Sequence, residues 1–270
     1  MFFTGATGGL GLLCVTALAA TDRWQVFACG TNEAKLVDLG KLKNVIPVRV
    51  DITSQTSVLA ARDLVLCQTD KLDAIVNFAG LTSFNSMVEG DSIEITERLL
   101  AVNLTGTVRV NHILFDLVHA ARGRIINCSS EAGWMKPQPF AGPYFISKRA
   151  LEAYNDSLRR EVMYLGVKVI KIQPGSFDAG MPASVFEKFE YTLLHTRYYK
   201  KLLTRMKPLL SWELNQKQDS ARLVRVVVKA LESRRPRPNY RVGTGYLLAL
   251  INLLPDSWLD RLYQVLFGRG

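Results

Sequence analysis

Tyr144 and Lys148 stand four residues apart where a helical pattern begins, so their side chains stack on one face of that helix. A phenol with a cation one turn away has a lowered pKa, because the positive charge favours phenolate. Ser130 closes the apolar run Ile125-Ile126-Asn127-Cys128, which reads as a buried strand, and its hydroxyl faces the phenol's side of a Gly/Pro-punctuated loop. Ser129 is its competing neighbour. A hydroxyl able to hold a carbonyl oxygen, a phenol and an amine outline an acid–base site. A lone Tyr-x-x-x-Lys is common, and its ordinary reading is an aromatic stem beside a solvated amine.

The elements that position these residues alternate. Apolar strand-like runs fall at 1–3, 24–29, 45–50, 74–78, 124–128 and 167–172, with helical patterns at 10–20, 32–39, 54–67, 91–119 and 144–165. Such alternation predicts an α/β fold, a single-domain, doubly wound parallel sheet with helices on both faces and ligands at the carboxyl ends of its strands. The turn Thr4-Gly-Ala-Thr-Gly-Gly-Leu-Gly11 joins the first strand to the first helix. Gly5, Gly9 and Gly11 let backbone approach a pyrophosphate, with the helix N-terminus facing the anion. The spacing is neither G-x-G-x-x-G nor a P-loop.

Composition narrows the classes. The 270 residues carry a net charge of +10, with 48% apolar and 21% charged residues, which suits one globular domain. Cys14, Cys29, Cys67 and Cys128 are scattered without a CxxC pair, and three histidines lack ligand spacing; a reducing compartment and no metal are expected. No secretory signal or spanning segment is visible, which points to a cytoplasmic, membrane-associated at most, location. Between Arg197 and Arg241 there are 13 Lys/Arg against 3 Asp/Glu, so that segment holds the whole charge excess.

Seven motifs together identify the chain as resembling the classical short-chain dehydrogenase/reductase family, whose sheet is of the Rossmann type. They are Thr4-Gly-x-x-x-Gly-x-Gly11, Asp51, Asn77-Phe-Ala-Gly80, Asn103, Ser130, Tyr144-x-x-x-Lys148 and Pro174-Gly175. The match spans 4–175. The run Gly166-Val-Lys-Val-Ile-Lys-Ile-Gln-Pro-Gly175 and Asp156-Ser-Leu-Arg-Arg-Glu161 are similar to the branch with retinol, hydroxysteroid and hydroxybutyrate dehydrogenases. The resemblance implies an NAD(P)-dependent oxidoreductase moving hydride to or from a secondary alcohol or ketone. Tyr144 would be the acid–base, Lys148 would tune it and hold the nicotinamide ribose, Ser130 would bind the carbonyl oxygen, and Asn103 would hold a relay water. The plain alternative for Asn103 is a satisfied core amide. The cofactor would meet Gly5, Thr7, Gly8, Gly9, Leu10, Gly11, Thr31, Asn32, Asp51, Ile52, Asn77, Ala79, Gly80, Tyr144, Lys148, Pro174 and Gly175.

Departures from the pattern matter too. The stretch Ala28-Cys-Gly-Thr-Asn32 has neither the acid that selects NAD nor an arginine that selects NADP. Without a repelling acid, Thr31, Asn32 and Lys35 can receive a 2′-phosphate, which favours NADP over NAD, although Gly8 replaces a basic residue often found in NADP-dependent members. Phe78 replaces a common Asn, and Ala179 replaces a common Thr, with Ser176 a substitute contact. Met1 already lies in the first strand, leaving a central strand short, as a start placed too late would; lower stability is expected.

Residues 1–175 are expected to form the cofactor and catalytic core, 176–217 a variable substrate lid, and 218–270 a helix, a last strand and an apolar tail. Tyr199, Leu202, Leu203, Met206, Leu209 and Leu210 alternate with Arg197, Lys200, Lys201, Arg205 and Lys207 as a basic amphipathic helix. That suits a lid over a hydrophobic steroid-, retinoid- or lipid-like substrate, and peripheral membrane contact through 197–241 and the tail. Trp134, Met135 and Phe140 are expected to line the substrate side. No nucleic-acid module accompanies the charge. The family resemblance implies a homodimer or homotetramer through the helices at 91–119 and 144–165. A non-catalytic nucleotide-binding sensor of the same fold is the alternative function, and intact Ser130, Tyr144 and Lys148 speak against it.

Overall fold

Apolar runs of three to seven residues build the sheet of this computed structural model, which describes residues 1–177, 181–215 and 218–268. Among the described residues the strands are β1 Phe2–Thr4, β2 Val26–Gly30, β3 Val45–Arg49, β4 Ala74–Asn77, β5 Arg124–Cys128, β6 Lys168–Pro174 and β7 Asn239–Val242. They lie in the order β3-β2-β1-β4-β5-β6-β7, and every pairing is parallel. The order reverses between β1 and β4, where a doubly wound sheet opens a crevice. The six apolar runs of the sequence are the first six strands.

The helices α1 Gly9–Ala19, α2 Glu33–Leu39, α3 Gln55–Leu66, α4 Ser92–Leu100, α5 Thr107–Ile113, α6 Phe115–Ala120 and α7 Gly142–Val162 cover the first five strands. Beyond them come α8 Met181–His195, α9 Lys200–Asn215, α10 Ser220–Glu232, α11 Tyr246–Ile251 and α12 Asp256–Phe267. Strand alternation splits the core in two. Phe2, Phe27, Ile75, Ile125 and Val169 face α3, α5 and α6, whereas Phe3, Ala28, Val76, Ile126 and Ile170 face α1 and α10. Short as it is, β1 is fully buried and paired on both sides.

One continuous helix over 91–119 is not what forms. A π-helical turn, Ala101–Gly106, separates α4 from α5, and Leu114 (φ −99°, ψ 7°) separates α5 from α6. Asn103 explains the bulge. Its carboxamide leaves the helix surface to bracket the Leu81 backbone, accepting from Leu81 N at 2.7 Å and donating to Leu81 O at 2.9 Å. A π-turn accommodates the extra residue that this requires.

Buried amides tie the sheet to its helices. Asn77 Nδ2 donates to Asn111 Oδ1 and to Asn127 Oδ1, both at 2.8 Å, while Asn127 Nδ2 donates to Asn155 Oδ1 at 2.7 Å. Thr4 Oγ1 donates to Asn77 Oδ1 at 3.2 Å, and Asn155 Nδ2 donates to Leu151 O at 2.8 Å. The chain of bonds therefore runs from β1 through β4 and β5 to α5 and α7. Removing one member strands several buried partners, each carrying its own desolvation cost. Asn127→Leu is expected to lower urea-unfolding stability by about 3 kcal/mol; a loss under half of that would show the amides to be independent of one another.

Candidate active site

The glycine turn, Asp51, Asn77–Gly80, Ser130 and Pro174-Gly175 lie at carboxyl ends of strands, while Asn103 lies in the π-turn and Tyr144 and Lys148 on α7. The turn after β1 closes tightly: Gly5 has φ +72°, and a Cβ there would collide with the Phe78–Ala79 backbone. A Cβ on Gly11 would collide with Gly5 O. Ala6 N donates to Cys29 O and Gly8 N to Gly5 O, both at 3.0 Å, and Phe78 N donates to Thr4 O at 3.1 Å. Backbone from β1, β2 and β4 thus meets around a groove floored by glycine, which is the cradle a dinucleotide needs. Gly8 and Gly9 stand at the start of α1, and Leu10 packs inward on the core.

The outer end of the groove is set by α2. Asn32 caps this helix, its Oδ1 accepting from Lys35 N at 3.0 Å, and Lys35 Nζ crosses to Thr7 O at 3.1 Å. Thr31 is exposed between them. Asp51 folds on itself after β3, accepting from Thr53 N at 2.8 Å and Thr53 Oγ1 at 2.7 Å, and these bonds hold its carboxyl below the usual range. Ser54, not Asp51, caps α3. Ile52 is buried in the core and its carbonyl accepts from Arg109 at 2.6 Å.

The reacting groups converge after β4, β5 and β6. Ser130 is near enough to the Tyr144 hydroxyl to favour its ionised form, and its Oγ accepts from Ala132 N at 3.2 Å. Ser129 is as buried, but its Oγ has no hydrogen-bond partner and lies toward Gly133. Lys148 is 5% exposed; its Nζ donates to Cys128 O at 3.0 Å and lies 5.9 Å from the Tyr144 ring centre. Gly80 faces both Asn103 Oδ1 and Lys148 Nζ, at 3.3 and 3.6 Å from where its Cβ would be. Asn103 is 1% exposed and also donates to Ser147 Oγ at 2.9 Å, so its side chain is the satisfied core amide. Gly175 N donates to Val242 O at 2.9 Å, and Pro174 ends β6 beside it. Ala179 lies outside the described residues, as do 216 and 217 at the end of the variable segment.

One electrostatic expectation is overturned. The Tyr144 phenol is pushed above its ordinary pKa, not below it, because desolvation outweighs the neighbouring Ser130 hydroxyl, and Cys128 and Glu131 push the same way. The same burial pulls Lys148 down.

The loop at 134–142 is also more structural than expected. Phe140 stacks on Phe84 at 5.6 Å and meets Tyr199 edge-on at 5.2 Å, under the α8–α9 pair. Met135 and Trp134 pack with Ala132, Phe145 and Tyr144. The expected basic amphipathic helix is α9, preceded by the separate helix α8. Leu203 faces the aromatic cluster, while Lys207 pairs with Glu190 at 2.7 Å and Arg205 holds Phe267 O at 2.8 Å.

The short-chain dehydrogenase family model matches residues 1–190. The chain belongs to that family. Short-chain dehydrogenases are NAD(P)-dependent oxidoreductases, and this one has the family's nucleotide groove and its sheet. Retinol dehydrogenase 16 of Homo sapiens is 33% identical over 274 residues, covering 96% of this chain and 84% of that one. The 17-beta-hydroxysteroid dehydrogenase type 6 of Homo sapiens is 30% identical over 277 residues, covering 96% and 86%. A short-chain dehydrogenase from Burkholderia cenocepacia J2315, solved with NADP, superposes with a TM-score of 0.73 at 22% identity, covering 99% of this chain and 97% of that one. One from Burkholderia phymatum, solved with NAD, gives 0.75 at 19%, covering 97% and 94%.

Sequence reasoning missed Glu131, directly after Ser130. Its Oε2 is buried, and burial, with repulsion from Glu213, outweighs the neighbouring Thr244 hydroxyl and raises its pKa from 4.5 to about 7. A lone Glu after a strand-end serine carries no signal of that. The sign follows from linkage: the folded chain keeps the proton up to about pH 7, while the unfolded chain releases it near 4.5. Stability is therefore lost as pH rises through that window, by at most about 3 kcal/mol. Glu131→Gln should flatten the fall in urea midpoint between pH 5 and pH 8.5; an equally steep fall in the variant would show that another group titrates there.

Proposed function

We propose that the site reduces or oxidises a hydrophobic ketone–alcohol pair, with Tyr144 as the acid–base, Ser130 as the hydroxyl that holds the carbonyl oxygen, and Lys148 as the amine that holds cofactor ribose and tunes Tyr144. The observation that carries this is that Ser130, just beyond β5, stands beside the partly buried Tyr144 phenol with Lys148 one helical turn away, next to the crevice that opens between β1 and β4. A phenol kept protonated is ready to donate, so the resting site is set for carbonyl reduction. Ser130 already points its oxygen at the phenol, where the carbonyl oxygen has to lie to take the proton. Asn103, whose side chain is committed to Leu81 and Ser147, has only its main chain, opened by the π-turn, with which to hold a relay water.

The residues present fit a nicotinamide cofactor, because Gly5 and Gly11 let the turn after β1 close against the β4 loop and lead into the N-terminus of α1, and Gly80 keeps the floor clear beside Lys148. When bound, the cofactor supplies the hydride. Gly5, Thr7, Gly8, Gly9, Leu10 and Gly11 would hold its pyrophosphate, Asp51 and Ile52 the adenine, and Asn77, Ala79, Gly80, Pro174 and Gly175 the nicotinamide end. NADP is the favoured form: no carboxylate from β2 guards the groove, and Lys35 stands free of an acidic partner beside Thr31 and Asn32.

The names of the relatives, retinol and hydroxysteroid dehydrogenases, support a steroid-, retinoid- or lipid-like substrate. The apolar packing of Trp134, Met135 and Tyr144 agrees with it. Tyr144→Phe should lower kcat on a steroid, retinol and long-chain ketone panel by at least a thousandfold, with NADPH giving the higher kcat/KM. Unchanged turnover in that variant would remove Tyr144 as the acid–base, absence of turnover in the unaltered chain would favour a nucleotide-binding sensor, and an NADH preference would remove the NADP assignment alone.

Residues 1–175 would then act as the core, 176–217 as the lid and 218–270 as its buttress. Ile93 on α4 and Ile146 on α7 are exposed, which supports self-association as a homodimer or homotetramer through those helices. No helix among the described residues is long and apolar enough to cross a membrane. Peripheral contact is supported instead by exposed Trp212, Leu253, Trp258 and Leu266 near the basic α9. Vesicles of phosphatidylserine and phosphatidylcholine should co-sediment the chain at low salt and lose most of it at high salt; no co-sedimentation at either salt would dispose of the membrane contact.

A further inference from the structure

A cavity of about 470 Å3 separates the loop at 81–91 from α4 and α8. That volume lies in the roughly 300–1,000 Å3 range of small-molecule sites. Neither Ser130, Tyr144 nor Lys148 lines it. Its apolar wall is Leu81, Ile95 and Leu99.

The polar groups around it are unevenly satisfied. Ser83 and Asn85 line it and are 6% and 7% exposed, yet Ser83 Oγ and Asn85 Oδ1 have no hydrogen-bond partner. Buried polar atoms are normally paired, and of these two the Ser83 hydroxyl can donate to an acceptor in the cavity, whereas Asn85 Oδ1 only accepts. Arg98, on α4, is an exposed residue of the lining and makes no hydrogen bond or ion pair with the described residues. Lys188, on α8, donates only to Thr82 O, at 2.6 Å, and keeps two donors free.

Three acids share the cavity lining, and none is ion-paired to Arg98 or Lys188 among the described residues. Glu89 is spent, accepting from Thr196 Oγ1 at 2.7 Å and from Arg197 N and Tyr198 N at 2.8 and 3.0 Å. Asp91 and Glu187 are exposed at the rim. Burial lowers the Lys188 pKa first and Arg98 lowers it further, with Glu187 opposing less. Two cations that repel each other across a partly apolar cavity are stabilised by an anion between them.

We propose that this cavity binds an amphipathic carboxylate, fatty-acid-like, with its headgroup between Arg98 and Lys188 and its chain along Leu81, Ile95 and Leu99. Ser83 Oγ is the neutral donor to the same headgroup. Occupancy bears on α8, which is fastened to this loop by Lys188 and by Thr192 Oγ1 on Phe84 O at 3.0 Å. The site stands apart from the catalytic reading and is tested without turnover.

Calorimetric titration of the full chain with decanoate, below its micellar concentration, should give one saturable site. Arg98→Gln should weaken it about tenfold, the value of one charge-assisted bond. Ile95→Trp, which fills the apolar wall, should abolish it, with melting curves confirming that both variants fold. Absence of saturable heat in the unaltered chain, or equal affinity in Arg98→Gln, would overturn the proposal. Binding retained in a folded Ile95→Trp would overturn it too, by placing the carboxylate elsewhere.

Discussion

The amide of Asn77 is the point on which the geometry of this molecule turns. It ends β4 beside Thr4, and its side chain gives both donors away at 2.8 Å, to Asn111 on α5 and Asn127 on β5. A buried carboxamide that loses a partner has no water to replace it, so the bonds are made together or not at all. Strand pairing alone fixes register along β1, β4 and β5; the amide chain also fixes how high α5 and α7 sit against them. Tyr144 and Lys148 ride on α7, and Ser130 is three residues beyond Asn127. Their mutual distance is thus set by groups that never touch the reacting atoms.

A second constraint works on the cofactor side through the lack of side chains. Gly5 bends at φ +72° under the Phe78–Ala79 backbone, and Gly11 comes up against Gly5 O. Side chains at either position would push β1's loop away from β4's and shut the crevice that the strand reversal opens. The π-turn at Ala101–Gly106 belongs to the same corner, since it lets Asn103 reach Leu81, the residue after Gly80. Packing thus puts a strained loop, an irregular helix and a glycine floor within one small volume.

These facts also explain what could be read from the sequence. The glycine turn, the Tyr-x-x-x-Lys pair and the strand runs are local patterns, so residue type and spacing state them directly. Asn111, Asn127 and Asn155 look like ordinary amides, because their partners are 16 to 50 residues away. Phe140 reads as a substrate-facing aromatic until α8 and α9 fold over it. The sign of the Tyr144 shift is not legible in the spacing, for a physical reason. Spacing shows that a cation is near, but not how far the fold takes the phenol and the amine out of water.

The frame and the lid are fastened by different kinds of force, and this decides where the molecule can vary. The strand ends are locked by directional, buried hydrogen bonds that admit one arrangement. By contrast, α8 and α9 rest on the aromatic cluster of Phe84, Phe140 and Phe189, with Lys188 and Thr192 as directional ties to the loop at 81–91. Apolar contact is tolerant of shape and of exchange between similar side chains. Substrate choice can therefore change in this segment without moving Ser130, Tyr144 or Lys148. The same looseness leaves Lys188 dependent on a single carbonyl, so whatever satisfies its remaining donors also decides how firmly α8 is held.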